Sequence, residues 1–199
     1  MRVLLATRNQ GKVEELRQIL AAAAPHVELV GLDAVPAYPE TPETELTFAG
    51  NALLKARDGM AHTGLATIAD DSGLAVDALN GMPGVLSARW AGSAKDDAAN
   101  NALLLDQLAD VPDELRGGKF VCAAAIVWPD GRELVVHGEM PGRIGREPKG
   151  ANGFGYDPLF TPDGFDRTSA ELSADEKNAI SHRGKAFREL ATRMSITPD

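Results

Sequence analysis

The chain has 199 residues, 44% apolar and 25% charged, which is enough for one domain, or one domain with two lobes, with a core that needs no staples. Its formal net charge of -9 leaves no basic footprint for a DNA or RNA backbone, although local cations and a metal can still bind a nucleotide's phosphates. The single cysteine, Cys122, excludes an internal disulfide and suits a reducing cytoplasm.

Arg2 to Ala6 reads as a first strand; the start is too short and too quickly polar for a signal peptide. The polar loop Thr7-Arg-Asn-Gln-Gly-Lys12 follows. Val13, Leu16 and Leu20 then mark a helix face. A helix entrance of this kind favours an anion, and Thr7, Asn9 and Lys12 stand there; an N-capped helix start with a solvated lysine is the ordinary alternative. Residues 25–46 carry little pattern, and Pro36, Pro39 and Pro42 predict an extended surface segment. Thr47 is a plausible N-cap for a helix with Phe48, Ala52 and Ala56 on one face. Asn51 and Lys55 are i, i+4 neighbours beside that face. Glu43, just before this helix, is a ligand or a helix-dipole partner.

Ala66 to Ala69 reads as a short buried strand, with Asp70 and Asp71 at its carboxyl end, where open α/β sheets place ligands. Adjacent carboxylates repel, and water, a shared proton or a divalent cation relieves them. A surface turn with Asx-type hydrogen bonds is the plain alternative for Asp70-Asp71-Ser72-Gly73. Arg89 and Trp90 follow a turn-dense segment, and Asp96 to Leu108 reads as a scaffold helix. Lys119 to Trp128 and Arg132 to His137 form a hairpin around Pro129-Asp-Gly131, with Cys122 in its apolar run as core. Gly138 to Gly155 holds six glycines and two prolines and reads as a long loop. Phe154 and Tyr156, set among its glycines, suit stacking on a base. Ser173-Ala-Asp-Glu176 is a capping box. The helix it starts carries an apolar face from Ile180 to Met194, with Lys177, Ser181, His182, Arg183 and Gly184 crowding its middle.

Three features converge. Asp70, Asp71 and Glu43 suit a hard cation, Lys12, Lys55, Lys177 and Arg183 suit phosphate oxygens, and the glycine-flanked aromatics suit a base. Mg2+ prefers one or two carboxylates plus substrate phosphates, so the combination describes a metal-dependent nucleoside-phosphate site. Nothing in the pattern supports a Ser-His-Asp or Cys-His nucleophile. Two rivals remain: a phosphomonoesterase with Asp70 or Asp71 as covalent nucleophile, and a binding module without turnover.

Nearly end to end, the sequence resembles the inosine triphosphate pyrophosphatase family. The resemblance is carried by Leu5 to Lys12, Glu43 to Phe48 with Asn51 and Lys55, and Ile68 to Asp77. It continues through Pro83-Gly84 with Ser87-Ala-Arg89, Gly153 to Pro158, and Glu171-Leu172 with Lys177 and Ile180 to Gly184. Arg8, where a small residue is common, and Glu45, where glycine is frequent, are minor departures. The resemblance implies an α/β fold over residues 1–199, with a long mixed central sheet, helices on both sides and two lobes around a nucleotide cleft. It implies a homodimer that hydrolyses ITP, dITP or XTP to the monophosphate and pyrophosphate with Mg2+; the lone cysteine, the acidic charge and the short apolar runs add the expectation of a cytoplasmic protein with no nucleic-acid or membrane partner. On matching positions it implies Asp71 as proton acceptor and magnesium ligand, and Glu43 as second ligand. Thr7, Arg8, Asn9, Gln10, Gly11 and Lys12 would contact the triphosphate. Asn51, Lys55 and Ser72 would contact substrate. Phe154, Gly155, Tyr156 and Asp157 would form the base pocket, with Lys177, His182 and Arg183 completing the nucleotide site.

Overall fold

The computed structural model describes residues 1–8, 10–25 and 27–196. In chain order the strands are β1 (Arg2–Leu5), β2 (Glu28–Val30), β3 (Ala66–Val76), β4 (Gly117–Val127), β5 (Glu133–Ile144) and β6 (Phe160–Pro162). The helices are α1 (Gln10–Ala23), α2 (Phe48–Thr63), α3 (Asp97–Gln107), α4 (Ala174–Ile180) and α5 (His182–Ile196). The described strands form one sheet in the order β2-β1-β3-β4-β5-β6. β1 runs parallel to β2 and to β3, whereas β5 and β6 are antiparallel, so this is the expected mixed α/β sheet. No helix among the described residues is long and apolar enough to cross a membrane.

Two compact units emerge. One comprises Met1–Asp71, Cys122–Gly138 and Arg183–Asp199; the other comprises Ser72–Val121 and Glu139–His182. In the first unit, alternate residues of one strand go to different partners. Cys122, Ala124 and Ile126 pack with Val3, Leu5 and Ile68 against Leu16 and Leu20 of α1 and Phe187 and Leu190 of α5. Ala123, Ala125 and Val127 pack with Ala69 against Ala52 and Ala56 of α2. Strand side chains alternate between faces, so α1 and α5 cover one side of the sheet and α2 the other. The alanines of β4 and α2 let that helix lie close to the strands. In the second unit, Leu104 and Leu108, at the end of α3, pack with Leu74, Val76, Phe120, Met140, Tyr156, Leu159 and Phe160.

Several sequence expectations need correction. β3 does not stop at Ala69: it runs through Asp70 and Asp71 to Val76, so the carboxylates sit inside a strand and form no surface turn. Residues 25–46 contain the short strand β2, which three residues of parallel pairing with β1 hold. Gly138 to Ile144 is strand, not loop. Burial alternates there, with Gly138 and Met140 in and His137 and Glu139 out, a period-two pattern that the glycines and Pro141 obscure. The C-terminal helix is two helices. Ser181 is extended (φ -62°, ψ 147°) between α4 and α5, so Ser181-His-Arg-Gly184 opens a helix and does not interrupt one. The predicted caps are present: Thr47 accepts from the Gly50 N–H, and Ser173 and Glu176 cap each other's backbone.

Candidate active site

The alternation of β3 decides what the two aspartates do. Asp70 shares the face of Ile68 and meets Lys12 of α1, whose Nζ donates to Oδ2 at 2.8 Å. Asp71 shares the face of Ala69 and meets α2: the Asn51 amide donates to Asp71 Oδ2 at 3.1 Å, and Lys55 Nζ lies 3.6 Å from Oδ1. The expected mutual repulsion is therefore relieved by separation to opposite faces, each carboxylate with its own lysine. Lys55 also donates to Glu43 Oε1 at 2.8 Å, so one ammonium bridges Glu43 and Asp71.

The two environments push the aspartates apart. Burial alone would raise the Asp70 carboxyl, but Lys12, Lys55 and Arg183 outweigh it and hold it well below the usual carboxylate range. Burial pushes the Asp71 carboxyl up to about 6; Lys55 opposes that rise and Glu43 adds to it. Burial would lower the Lys55 ammonium, yet Asp71, Asp70 and Glu43 together raise it. Asp70 is thus a fixed anion, and Asp71 is a carboxylate poised to exchange a proton near neutrality.

Among the described residues no three His, Cys, Asp or Glu side chains converge into a metal cage of their own. Glu43 and Asp71 are a pair, with a lysine ammonium between them showing that the space accepts positive charge. Two carboxylates plus ligand oxygens are the set that Mg2+ takes, so the residues present fit that ion.

A second cluster lies in the other unit. Gly153, at φ 74°, turns the chain so that the Phe154 N–H donates to Asp157 Oδ2 at 2.9 Å; a Cβ at Gly153 would strike the same carboxylate. Lys177 Nζ donates to that oxygen at 2.5 Å and stands 5.3 Å from the Phe154 ring centroid. From α3, Asp97 accepts the Gly155 N–H at 2.7 Å and Asn101 donates to the Gly155 carbonyl at 2.9 Å. Sequence reading treats α3 as scaffold and misses this grip, although two polar residues at i, i+4 are its visible trace. Tyr156 differs from Phe154. It is buried, its hydroxyl donates to the Ser87 carbonyl at 2.8 Å, and it offers no open ring face. His182 is buried and stacks on Phe120 at 5.0 Å.

The remaining expected site residues fall as follows. Thr7 and Arg8 precede α1, and Gln10, Gly11 and Lys12 open it. Arg8 donates to the Tyr38 carbonyl at 2.7 Å and its guanidinium lies over the Tyr38 ring. Asn9 lies outside the described residues. Ser72 follows Asp71 in β3, partly buried, and Arg183 is buried in the first turn of α5. The structure thus groups Glu43, Asn51, Lys55 and Asp71 in one unit, and Phe154, Gly155, Asp157 and Lys177 in the other.

The Ham1 family model matches residues 3–193. A dITP/XTP pyrophosphatase of Nocardia farcinica is 63% identical over 199 residues, all of this chain and 97% of that protein. The crystal structure of a nucleoside-triphosphatase, dITP/XTP pyrophosphatase, from Mycobacterium abscessus is 59% identical with a TM-score of 0.80, covering 96% of this chain and 97% of that one. The Ham1 protein of Staphylococcus aureus is 37% identical with a TM-score of 0.88, covering 98% of each chain.

Proposed function

The chain belongs to the Ham1 family, and on that premise we propose that it hydrolyses the non-standard purine nucleoside triphosphates ITP, dITP and XTP to the monophosphate and pyrophosphate, with Mg2+. The observation that carries the reading is Asp71: a buried carboxylate near pKa 6, held by Asn51 and sharing Lys55 with Glu43. Asp71 orients a water and takes its proton as the oxygen bonds to the α-phosphorus. The bond from that phosphorus to the bridging oxygen breaks, and pyrophosphate leaves. Glu43 and Asp71 would hold Mg2+, which would supply charge neutralisation for the leaving group. Lys55 adds positive charge beside it. Thr7 to Lys12 present the N-terminus of α1 to the phosphates.

Phe154 supplies the stacking face for the base, and Asp157 and Lys177 fix its backbone and ring. Hypoxanthine and xanthine carry a 6-oxo acceptor, whereas adenine carries a 6-amino donor. Donors at that position, from His182, Arg183 or backbone N–H groups, face a donor when adenine enters. Rejection by such a mismatched polar site reaches about 10⁴-fold. A cytoplasmic homodimer completes the proposal.

Phosphorus NMR of products from ITP, dITP and XTP tests it. Pyrophosphate and monophosphate are the expected first products; orthophosphate would refute the assigned cleavage. A second result follows from the glycine loop. Lys177→Ala leaves Asp157 without its ammonium and is expected to raise KM for ITP about 10-fold, the effect of one lost charge-assisted hydrogen bond. Unchanged steady-state kinetics would make Lys177 a structural lysine only.

A further inference from the structure

The segment that carries Glu43 lies along α2. Residues 36–47 form no helix or strand, and none of them is fully buried. Pro36, Pro39 and Pro42 keep it extended and withhold N–H donors from any neighbouring strand. A single face of α2 fastens it at four points. The Glu45 N–H donates to Asn51 Oδ1 at 2.9 Å. Lys55 donates to Glu43 at 2.8 Å. Thr41 donates through its hydroxyl to Asp58 Oδ2 at 2.5 Å. The Tyr38 ring stacks on His62, with centroids 4.8 Å apart and planes 13° from parallel.

Residues 51, 55, 58 and 62 advance by four, three and four, the repeat of one helix face. Their partners 45, 43, 41 and 38 run the opposite way. The partners fall back by two, two and three residues, so successive rungs of the helix meet the segment in order. Arg8 grips the far end through the Tyr38 carbonyl and ring.

We propose that this ladder is a positioning device: Tyr38, Thr41, Asp58 and His62 fix the register of the segment on α2 and so hold the Glu43 carboxylate beside Lys55 and Asp71. Two rungs, Asn51 and Lys55, already serve Asp71, so one helix face sets both carboxylates. Thr41 and Asp58 touch neither carboxylate and act through the backbone between residues 41 and 43. The claim rests on the proposed role of Glu43 as a ligand.

The test uses Thr41→Val, which removes the hydroxyl and keeps the shape, with Thr41→Ser as the restoring variant. Mn2+ binding to the full chain is followed by EPR without nucleotide, and amide hydrogen exchange is followed at residues 43–46. Thr41→Val is expected to weaken Mn2+ binding about 10-fold, the usual scale for a supporting residue, and to speed exchange. Thr41→Ser restores both. On a Glu43→Gln background Thr41→Val adds no further loss of Mn2+ affinity, because its effect passes through Glu43. Wild-type affinity and exchange in Thr41→Val would overturn the ladder, as would an undiminished loss on the Glu43→Gln background. A wild-type chain that takes up no Mn2+ would instead remove the metal reading, and the exchange arm would then decide the ladder alone.

Discussion

Asp71→Asn is expected to lower turnover of ITP by about 10³-fold, the middle of the range for losing a general base. The folded chain persists, because the amide keeps the shape and one acceptor for the Asn51 bond. Burst and steady-state rates of pyrophosphate release measure the loss. A variant within about tenfold of wild type would remove Asp71 from the chemistry.

The same substitution makes a stability prediction of opposite sign. The folded Asp71 carboxyl titrates at about 6 against an ordinary 3.8, so the folded state binds this proton more tightly than the unfolded state. Its contribution is fully present below pH 3.8 and lost as pH rises through about 6. Above that, the ionised carboxylate opposes folding by up to about 3 kcal/mol. Metal-free Asp71→Asn should therefore be more stable than wild type at pH 7.5, with the gap closing towards pH 4. Mg2+ should raise the melting temperature of wild type by mass action and leave the variant's nearly unchanged. Equal stability of the two metal-free proteins at both pH values would mean that burial does not strain this carboxylate. Asp71 would then not be poised near neutrality.

How much of this is legible in the residues depends on how local each feature is. The Thr47 cap, the Ser173–Glu176 box and the Pro129–Gly131 hairpin are written within four residues, and the structure contains them. The extent of β3 is not. Two aspartates in sequence read as the end of a strand, because nothing nearby says that Lys12 and Lys55 wait on opposite faces, 58 and 16 residues away in the chain. Ser181 illustrates the same limit. The apolar spacing of Ile180, Phe187 and Leu190 continues across it, so periodicity alone joins α4 to α5. Tyr156 looks like a second stacking ring until Ser87, 69 residues away, accepts its hydroxyl hydrogen. The ladder on α2 is half legible: a spacing of four, three and four marks a face, but the partners lie on a stretch without period. The resemblance to a known family names Asp71 and Glu43; what the residues do not show is that Asp70 and Asp71 meet different lysines.

That division carries the second large effect. Lys12→Met is expected to destabilise the fold by about 3–5 kcal/mol at pH 7.5, because it leaves a buried carboxylate without its nearest cation. The Asp70 side chain is 1% exposed, so water cannot replace the ammonium. In wild type the Asp70 carboxyl is depressed, so its contribution is present above pH 3.8 and lost as pH falls further. Without Lys12 one of the cations that hold the carboxyl down is lost and the carboxyl rises, so the variant recovers relative to wild type as the solution is acidified towards pH 4. Urea midpoints at constant m measure both. The double variant Lys12→Met with Asp70→Asn should regain most of the loss, since a buried charge that has lost an ion pair is what costs. A single variant within about 0.5 kcal/mol of wild type would show that the Lys12–Asp70 contact is solvated in solution. Asp70 would then compete with Asp71 for any cation brought to β3, and the assignment of one aspartate to structure and the other to chemistry would fail.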